Sequence, residues 1–455
     1  MSVSEKHPDL TAARLDEWKL IENALEGESA IKAAGTAYLP CPASFKGKEQ
    51  GDAYREYKMR ARFPAYLAPS VSAMMGVMHG QEVGYQTPDN MKALRENIDG
   101  EGRSLERFHE LLTRELLTYG RAGILVDAKP TSNQGELSTY LSIYKAPAII
   151  NWDNDFYVLD ESGMQRDGFG WAKVERYRVL RLVDGKYTQE LYDKSVGQKE
   201  PELQGEIAAA DPWRKGIPRV PFTIANWHGL TNDVKAPPLI QVANEAVSAY
   251  QLNADLRLQL FMSGQATLVL TGSDEKDMQV EVGPNAAIFL PATGDVKADA
   301  KYVEPSGSGI RAHMDHIAQV AEEAQRAGAR LFSEAPAHES GEAKRLRYRS
   351  ETATLKGILN VSCAAMERAL RDAAMFLNIQ GIDQIVVTPP ETLIDSVITP
   401  EVANALRYGV EAGIISNETY YEILSKSGLA LPELEEEKRR IAAETFGVQD
   451  ATDTP

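Results

Sequence analysis

Cysteine occurs only twice in 455 residues, at Cys41 and Cys363. Two distant thiols exclude a disulfide scaffold and a Cys-rich zinc site, and they fit a reducing compartment. Long apolar runs are missing too. No stretch reaches the roughly 18 residues that a membrane-spanning helix needs, and the nearest, Ala65 to Gly80, contains Pro69 and His79. The first residues, Met-Ser-Val-Ser-Glu-Lys-His-Pro, carry no apolar core behind their basic residue, so a signal peptide is not expected. Positive charge is in deficit, with 49 basic against 66 acidic residues and a formal charge of −17. Broad clamping of nucleic acid depends on Lys and Arg displacing counterions from phosphates, so tight DNA binding over a large surface is excluded. DNA passing close by without being gripped is compatible with that charge.

Catalytic signatures are scarce. There is no Gly-x-x-x-x-Gly-Lys-Ser/Thr loop: Gly185-Lys186-Tyr187 and Gly47-Lys48-Glu49 lack the earlier glycine and the hydroxyl. Gly307-Ser308-Gly309 precedes a helix but lacks the third glycine and the βαβ pattern of a dinucleotide site. His313, Asp315 and His316 are spaced unlike a helical zinc pair, and only seven histidines exist to complete a site. Asp153, Asp155 and Asp160, like Asp99-Gly-Glu-Gly102, lack calcium-loop spacing and read as turns. No Ser sits in a Gly-x-Ser-x-Gly elbow. We therefore expect no catalytic residues, no metal and no cofactor, and a protein that is not an enzyme.

What the chain does have is an ordinary globular composition, 43% apolar and 25% charged, at a length that implies two to four subdomains. Helices are expected over 9–34, 52–63, 69–79 and 104–119, the last capped by Ser104. Ile124 to Val126 reads as a buried strand. From about Leu137 to Asn226 short β-like runs alternate with turns, including an Asp184-Gly185 hairpin signal.

Three later stretches repeat apolar or small residues at alternating three- and four-residue spacing. They are Leu239, Val242, Ala246, Ala249, Asn253, Leu256, Leu260; then Ile310, Met314, Ile317, Ala321, Ala324, Gly328, Leu331; then Leu355, Leu359, Ser362, Met366, Ala369, Ala373, Phe376. Such spacing keeps one stripe facing a neighbour along a whole helix, and the Ala/Gly-rich second stripe suits close backbone approach. Between the first two lie short β-like runs, within a locally acidic span of nine acidic and four basic residues over Leu239–Glu304. Before the third comes a basic group, Lys344, Arg345, Arg347 and Arg349. On its own it reads as a solvated segment, as a contact to nucleic acid phosphates, or as a contact to a neighbour's carboxylates.

Several stretches, in order over about residues 50 to 380, resemble the portal proteins of tailed bacteriophages. They include Tyr54-Arg-Glu-Tyr57-Lys-Met-Arg60-Ala61-Arg-Phe63, Asp99-Gly-Glu-Gly102-Arg-Ser104-Leu105, Tyr119-Gly120-Arg121-Ala-Gly123-Ile-Leu125-Val126-Asp127, Ile150-Asn151-Trp152, Val220-Pro221-Phe222, Pro237-Pro238-Leu239 and Tyr302-Val-Glu304-Pro-Ser-Gly307. The resemblance implies an α+β fold, assembled as a ring at one capsid vertex. It also implies a mixed α/β wing over 1–235, a first stem helix over 236–265, a β-containing clip over 266–308 and a second stem helix over 309–332. A tunnel loop over 333–350, a wing helix and strand over 351–399, and a helical crown and tail over 400–455 follow. Under it Leu239, Val242, Ala246, Ala249, Ile310, Met314, Ile317, Ala321, Ala324 and Gly328 are stem-packing positions. Lys344, Arg345, Arg347 and Arg349 become DNA-facing or inter-subunit positions in the tunnel loop. The implied partners are further copies of the chain, commonly twelve in all, the terminase motor, capsid and scaffolding protein, an adaptor or tail protein, and double-stranded DNA passing through the channel, with no membrane. The implied location is the virion, with assembly in the host cytoplasm. A nucleic-acid-processing enzyme with a scattered carboxylate site and another structural virion protein are the competing readings.

Overall fold

A computed structural model of the chain describes residues 2–45, 51–130, 137–194, 200–207, 219–263, 267–271, 299–303, 308–328, 341–393, 400–426 and 434–449. The fold is α+β. The chain opens with α1 (Ala12–Glu26) and α2 (Glu28–Ala34). One continuous helix was expected here, but Gly27 adopts φ +95°, which ends the first helix and starts the second in a new direction. Helices α3 (Asp52–Arg60) and α4 (Leu67–Met78), strand β1 (Gly84–Gln86), the short α5 (Lys92–Glu96) and α6 (Leu105–Tyr119) follow. Thr11 caps α1 and Ser104 caps α6, each side chain accepting from the amide three residues on.

The β-rich part then unfolds as β2 (Arg121–Pro130), β3 (Leu137–Lys145), β4 (Ile149–Trp152), β5 (Phe156–Asp160), β6 (Gly163–Asp167), β7 (Gly170–Val183), β8 (Lys186–Lys194), β9 (Glu202–Ile207) and β10 (Phe222–Asn226). Strand order is β10-β2-β3 in one antiparallel sheet and β4-β5-β7-β8-β9 in another, with β6 paired only to β7. Strands β6 and β9 were not expected from sequence. Gly163-Met-Gln-Arg-Asp lacks an apolar alternation, and all five residues are exposed, so nothing in its pattern marks a buried face.

Long helices complete this body: α7 (Ile240–Ser263), the strand pair β11 (Thr267–Thr271) and β12 (Asp299–Val303), α8 (Ser308–Gly328) and α9 (Gly341–Phe376), closed by β13 (Val386–Thr388) against β1. Helix α9 starts ten residues earlier than the loop expected over 333–350 would allow: residues 341–350 are its first turns, and 333–340 lie outside the described residues. No glycine or proline interrupts Glu342 to Lys356, so nothing stops the helix from extending backwards.

The chain divides into two compact units, Met1–Gly76 with Gly84–Pro389, and Val77–Val83 with Pro390–Pro455. In the first, the core lies where α6 and α9 cover the β2 sheet. Leu105, Phe108, Leu112 and Leu116 of α6 and Leu355, Ile358, Leu359, Met366, Leu370 and Phe376 of α9 are buried. Each such side chain contributes about 1.5–3 kcal/mol when fully removed from water. Hydroxyls of Thr113 and Ser362 meet across the two helices at 2.7 Å. Trp18 fastens α1 to the end of α6 by donating its indole N–H to the Tyr119 carbonyl at 3.0 Å. In the larger sheet Ile150, Val158, Tyr177 and Val179 form a second small core. The other unit contains α10 (Pro400–Glu411), α11 (Asn417–Lys426) and α12 (Leu434–Gln449). Gly409 allows close contact with Ile415, because a Cβ there would sit 2.5 Å from the Ile415 side chain.

Gly123 makes the sharpest packing demand. A Cβ at this position would lie 2.2 Å from Phe222 Cζ and 3.1 Å from Ile149 Cδ1, and both partners are buried. Gly123→Ala is expected to cost about 1–3 kcal/mol through overpacking, seen as a lower urea midpoint. An unchanged midpoint would show that the Phe222 ring has room to move.

Candidate functional site

The hairpin of α7 and α8 is the feature that sets this chain apart from a plain α/β body. It leaves the body at Leu239, runs 24 residues outward, turns through the paired strands β11 and β12, and returns for 21 residues. At 1.5 Å per residue, α7 is about 36 Å long. The helices are antiparallel: Gly309, at the start of α8, lies beside Gln259 near the end of α7, and Gly328, at its other end, faces Val242 and Ser70. A Cβ on Gly328 would sit 3.0 Å from Ser70 Oγ and 3.2 Å from Val242 Cγ2, so a small residue is what admits this approach.

From its middle outward, α7 is tied to the body by polar groups that no sequence motif marked. Tyr57 donates its hydroxyl to Asp255 Oδ1 at 2.6 Å, Asn253 Oδ1 accepts from the Arg62 amide at 3.0 Å, and Gln251 donates to the Tyr38 carbonyl at 2.8 Å. Burial first and the Asp255 carboxylate second push the Tyr57 phenol well above its usual range, so it acts as a donor. Asn253 was legible only as a polar break in an apolar stripe.

Burial changes along the hairpin. Leu239, Val242, Ala246 and Ala249 are buried, as are Val320, Ala324 and Gly328 opposite them. Ile310 and Ile317, further out, are half-buried, as is Ala321 next to Val320. Leu260 is 46% exposed, Phe261 41% and Met314 57%. Arg60 stacks on the Phe261 ring at 3.9 Å and covers part of it. Leu331 lies outside the described residues. The third stripe behaves otherwise, since Leu355, Leu359, Ser362, Met366, Ala369, Ala373 and Phe376 are all buried within this one chain.

Lys344, Arg345, Arg347 and Arg349 fall in the first three turns of α9, on helical backbone. At 100° per residue they span an arc of about 200°, so they do not form one narrow stripe. Two of the expected clip runs, 279–282 and 286–290, lie outside the described residues.

The other candidates are dispersed. His313 is half-buried and Asp315 and His316 are exposed on α8, and among the described residues no three His, Cys, Asp or Glu side chains could hold a metal ion. Asp153 lines an open cleft of about 480 Å³ with His7, Asp9, Asn151, Trp152 and Phe156, and its carboxylate accepts from the Asn154 amide. A second cleft, of about 410 Å³, is lined by Arg219, Cys363, Glu367, Arg368 and Arg371. There burial pushes the Cys363 thiol up to about 12, which leaves it protonated and unreactive. Asp372, buried beside that cleft, pairs with Arg219. Asp99 closes the Asn97–Arg103 turn, its Oδ1 accepting from the amides of Glu101 at 2.9 Å and Arg103 at 3.1 Å. No helix among the described residues is long and apolar enough to cross a membrane.

Residues 238–377 match a family model described as "Domain of unknown function (DUF4055)". The match begins two residues before α7 and ends one residue after α9, and covers under a third of the chain. No curated protein matches. Among solved structures, a chain described as "Neck of native GTA particle computed with C12 symmetry" is similar at 15% identity and a TM-score of 0.42, over 81% of this chain and 90% of that one. A chain from "Neck of empty GTA particle computed with C6 symmetry" is similar at 16% identity and a TM-score of 0.39, over 86% and 94%.

The Asp99 turn has a pH signature. Burial raises the carboxyl's pKa, but the Glu101 and Arg103 amides and the Arg103 guanidinium outweigh it, and the net position is below the ordinary value. A folded pKa below the unfolded one stabilises above the unfolded value and is lost as pH falls through the folded one. Between about pH 6 and about pH 2, the wild type is expected to lose more stability than Asp99→Asn. Parallel losses in urea titrations would contradict this.

Proposed function

We propose that this chain is a portal protein, a ring-forming conduit for double-stranded DNA at one capsid vertex. The observation that carries the reading is the rooted α7–α8 hairpin. α7 is tied to the α3 region as far along as Phe261, the outer part of α8 exposes Met314 among the described residues, and the two helices bracket a two-stranded β unit. A lone chain gains nothing from holding Met314 in water, whereas a ring of identical hairpins covers that outer face with a neighbour. The order of sequence segments that resembles portal proteins supports the same assignment.

In this reading α7 and α8 are the stem and line the channel wall, residues 266–308 are the clip that docks the terminase and later an adaptor or tail protein, and residues 400–455 form the crown. The remaining body is the wing, in contact with capsid and scaffolding protein. A chain of charge −17 suits a wall that DNA slides past, since like charges repel and do not hold. Twelve copies would carry on the order of −200 formal charges, so neighbouring subunits need cations or ion pairs between them. Lys344, Arg345, Arg347 and Arg349 are the candidates for such pairs or for contacts to passing DNA. Catalysis belongs to the motor in this scheme, and the chain itself acts by shape.

The native mass of the purified protein tests assembly. A discrete multiple of 50.1 kDa, near twelve, is expected; a strictly monomeric species at high concentration and in virions would contradict the proposal. Changing Lys344, Arg345, Arg347 and Arg349 together to Glu is expected to leave particles that assemble but package about ten-fold less DNA or more. Full packaging by that variant would remove these four residues from the mechanism.

A further inference from the structure

The β6–β7 hairpin is an arm on which no other described residue of the chain buries a side chain from Ser162 to Lys173. Its five residue pairs run from Gly163↔Val174 to Asp167↔Gly170, and among the described residues β6 has no other strand partner. Gly168 at φ +61° makes the turn, and the Arg166 Nε donates to its carbonyl at 2.8 Å. Every residue from Ser162 to Lys173 is exposed, so neither face is covered by the rest of the chain. An isolated two-stranded ribbon is marginal in water and gains independent stability only from a third strand or a packed face.

The composition of the arm is not that of a solvated loop. Residues directly opposite each other in an antiparallel pair share a face. Met164 lies opposite Lys173, and Arg166 opposite Trp171, which puts all four on one side. Met164 is 60% exposed, Trp171 67%, and Phe169 at the turn is fully exposed. One arm thus presents three large apolar side chains with two cations beside them.

We infer that this arm docks on a neighbouring copy of the same chain and that Met164, Phe169 and Trp171 are its anchors. The inference rests on the ring reading above and adds a contact to it. A second copy fits on two grounds. It is strongly acidic, which complements Arg166 and Lys173. It also offers exposed apolar side chains outside the arm, Met59 and Met314 among them, and a head-to-tail ring joins two different patches of one surface. DNA is acidic but offers little apolar counterpart to a Met, a Phe and a Trp at a protruding tip.

The test places the photo-crosslinker p-benzoylphenylalanine at position 169 of the full chain, with native mass recorded alongside. Rings that yield chain-to-chain adducts on irradiation are the expected result. Rings that yield no adducts, or adducts only to capsid protein or to DNA, would overturn the docking of the arm and leave the ring reading intact. An absence of rings in the unsubstituted protein would overturn both. As a second measurement, Met164→Ser, Phe169→Ser and Trp171→Ser together are expected to raise the protein concentration needed for assembly by at least about ten-fold. The unfolding midpoint of the dissociated chain is expected to change little, because these side chains are exposed and lie outside the core. An unaltered assembly concentration would likewise count against the arm.

Discussion

The burial of helix α9 is the constraint on which the rest of this structure depends. From Leu355 to Phe376 its apolar side is sealed against α6 and the β2 sheet, with Ile358, Met366 and Leu370 filling the centre. Polar groups on that helix are tied down as well. Asp372 holds Arg219, Glu367 accepts from the Val387 amide at 3.1 Å and so positions β13, and Arg371 donates to the Ile385 carbonyl. The N-terminal turns of the same helix carry Lys344, Arg345, Arg347 and Arg349. A rigid helix cannot redirect one end without the other, so the grip on 355–376 also sets where those four backbone positions go. A loop in their place would have left them free to wander.

The α7–α8 hairpin follows a different physical rule. Its inner half packs through small residues, Ala246, Ala249, Ala324 and Gly328, which contribute little area each but let helices approach closely. Asn253 and Asp255, in the outer half of α7, accept hydrogen bonds from the Arg62 amide and the Tyr57 hydroxyl and tie the helix to the α3 region. Beyond Asp255, Arg60 covers part of the Phe261 ring, and Met314 on α8 is 57% exposed. The same contrast recurs at the β6–β7 arm, where an apolar face has no partner among the described residues.

Much of this was legible in the sequence, and the exceptions have physical causes. The 3-4 stripes located all three long helices, and Ser104 and Gly120 marked the ends of α6, because helix periodicity and caps are local signals. The β character of 137–226 was readable from alternation and turns. Strand β6 was not, since a strand exposed on both faces has no buried side to write an alternation. The break at Gly27 was missed because a single glycine inside an amphipathic run is usually tolerated. The start of α9 was misplaced because the resemblance implied a tunnel loop over 333–350, although no glycine or proline in 342–356 prevents a helix. Val320, outside the expected stripe, is buried in place of Met314, which shows that a regular spacing fixes a helix but not its rotation about its own axis. The roles of Tyr57, Asn253 and Asp372 depend on partners 150 to 200 residues away in the chain, and no local pattern encodes such pairings.

Direct imaging of the purified full-length protein by electron microscopy tests the central claim most simply. The account predicts annular particles with rotational symmetry and an open central channel lined by the α7–α8 hairpins. Compact particles without a central opening, at concentrations where the protein is fully folded, would contradict it.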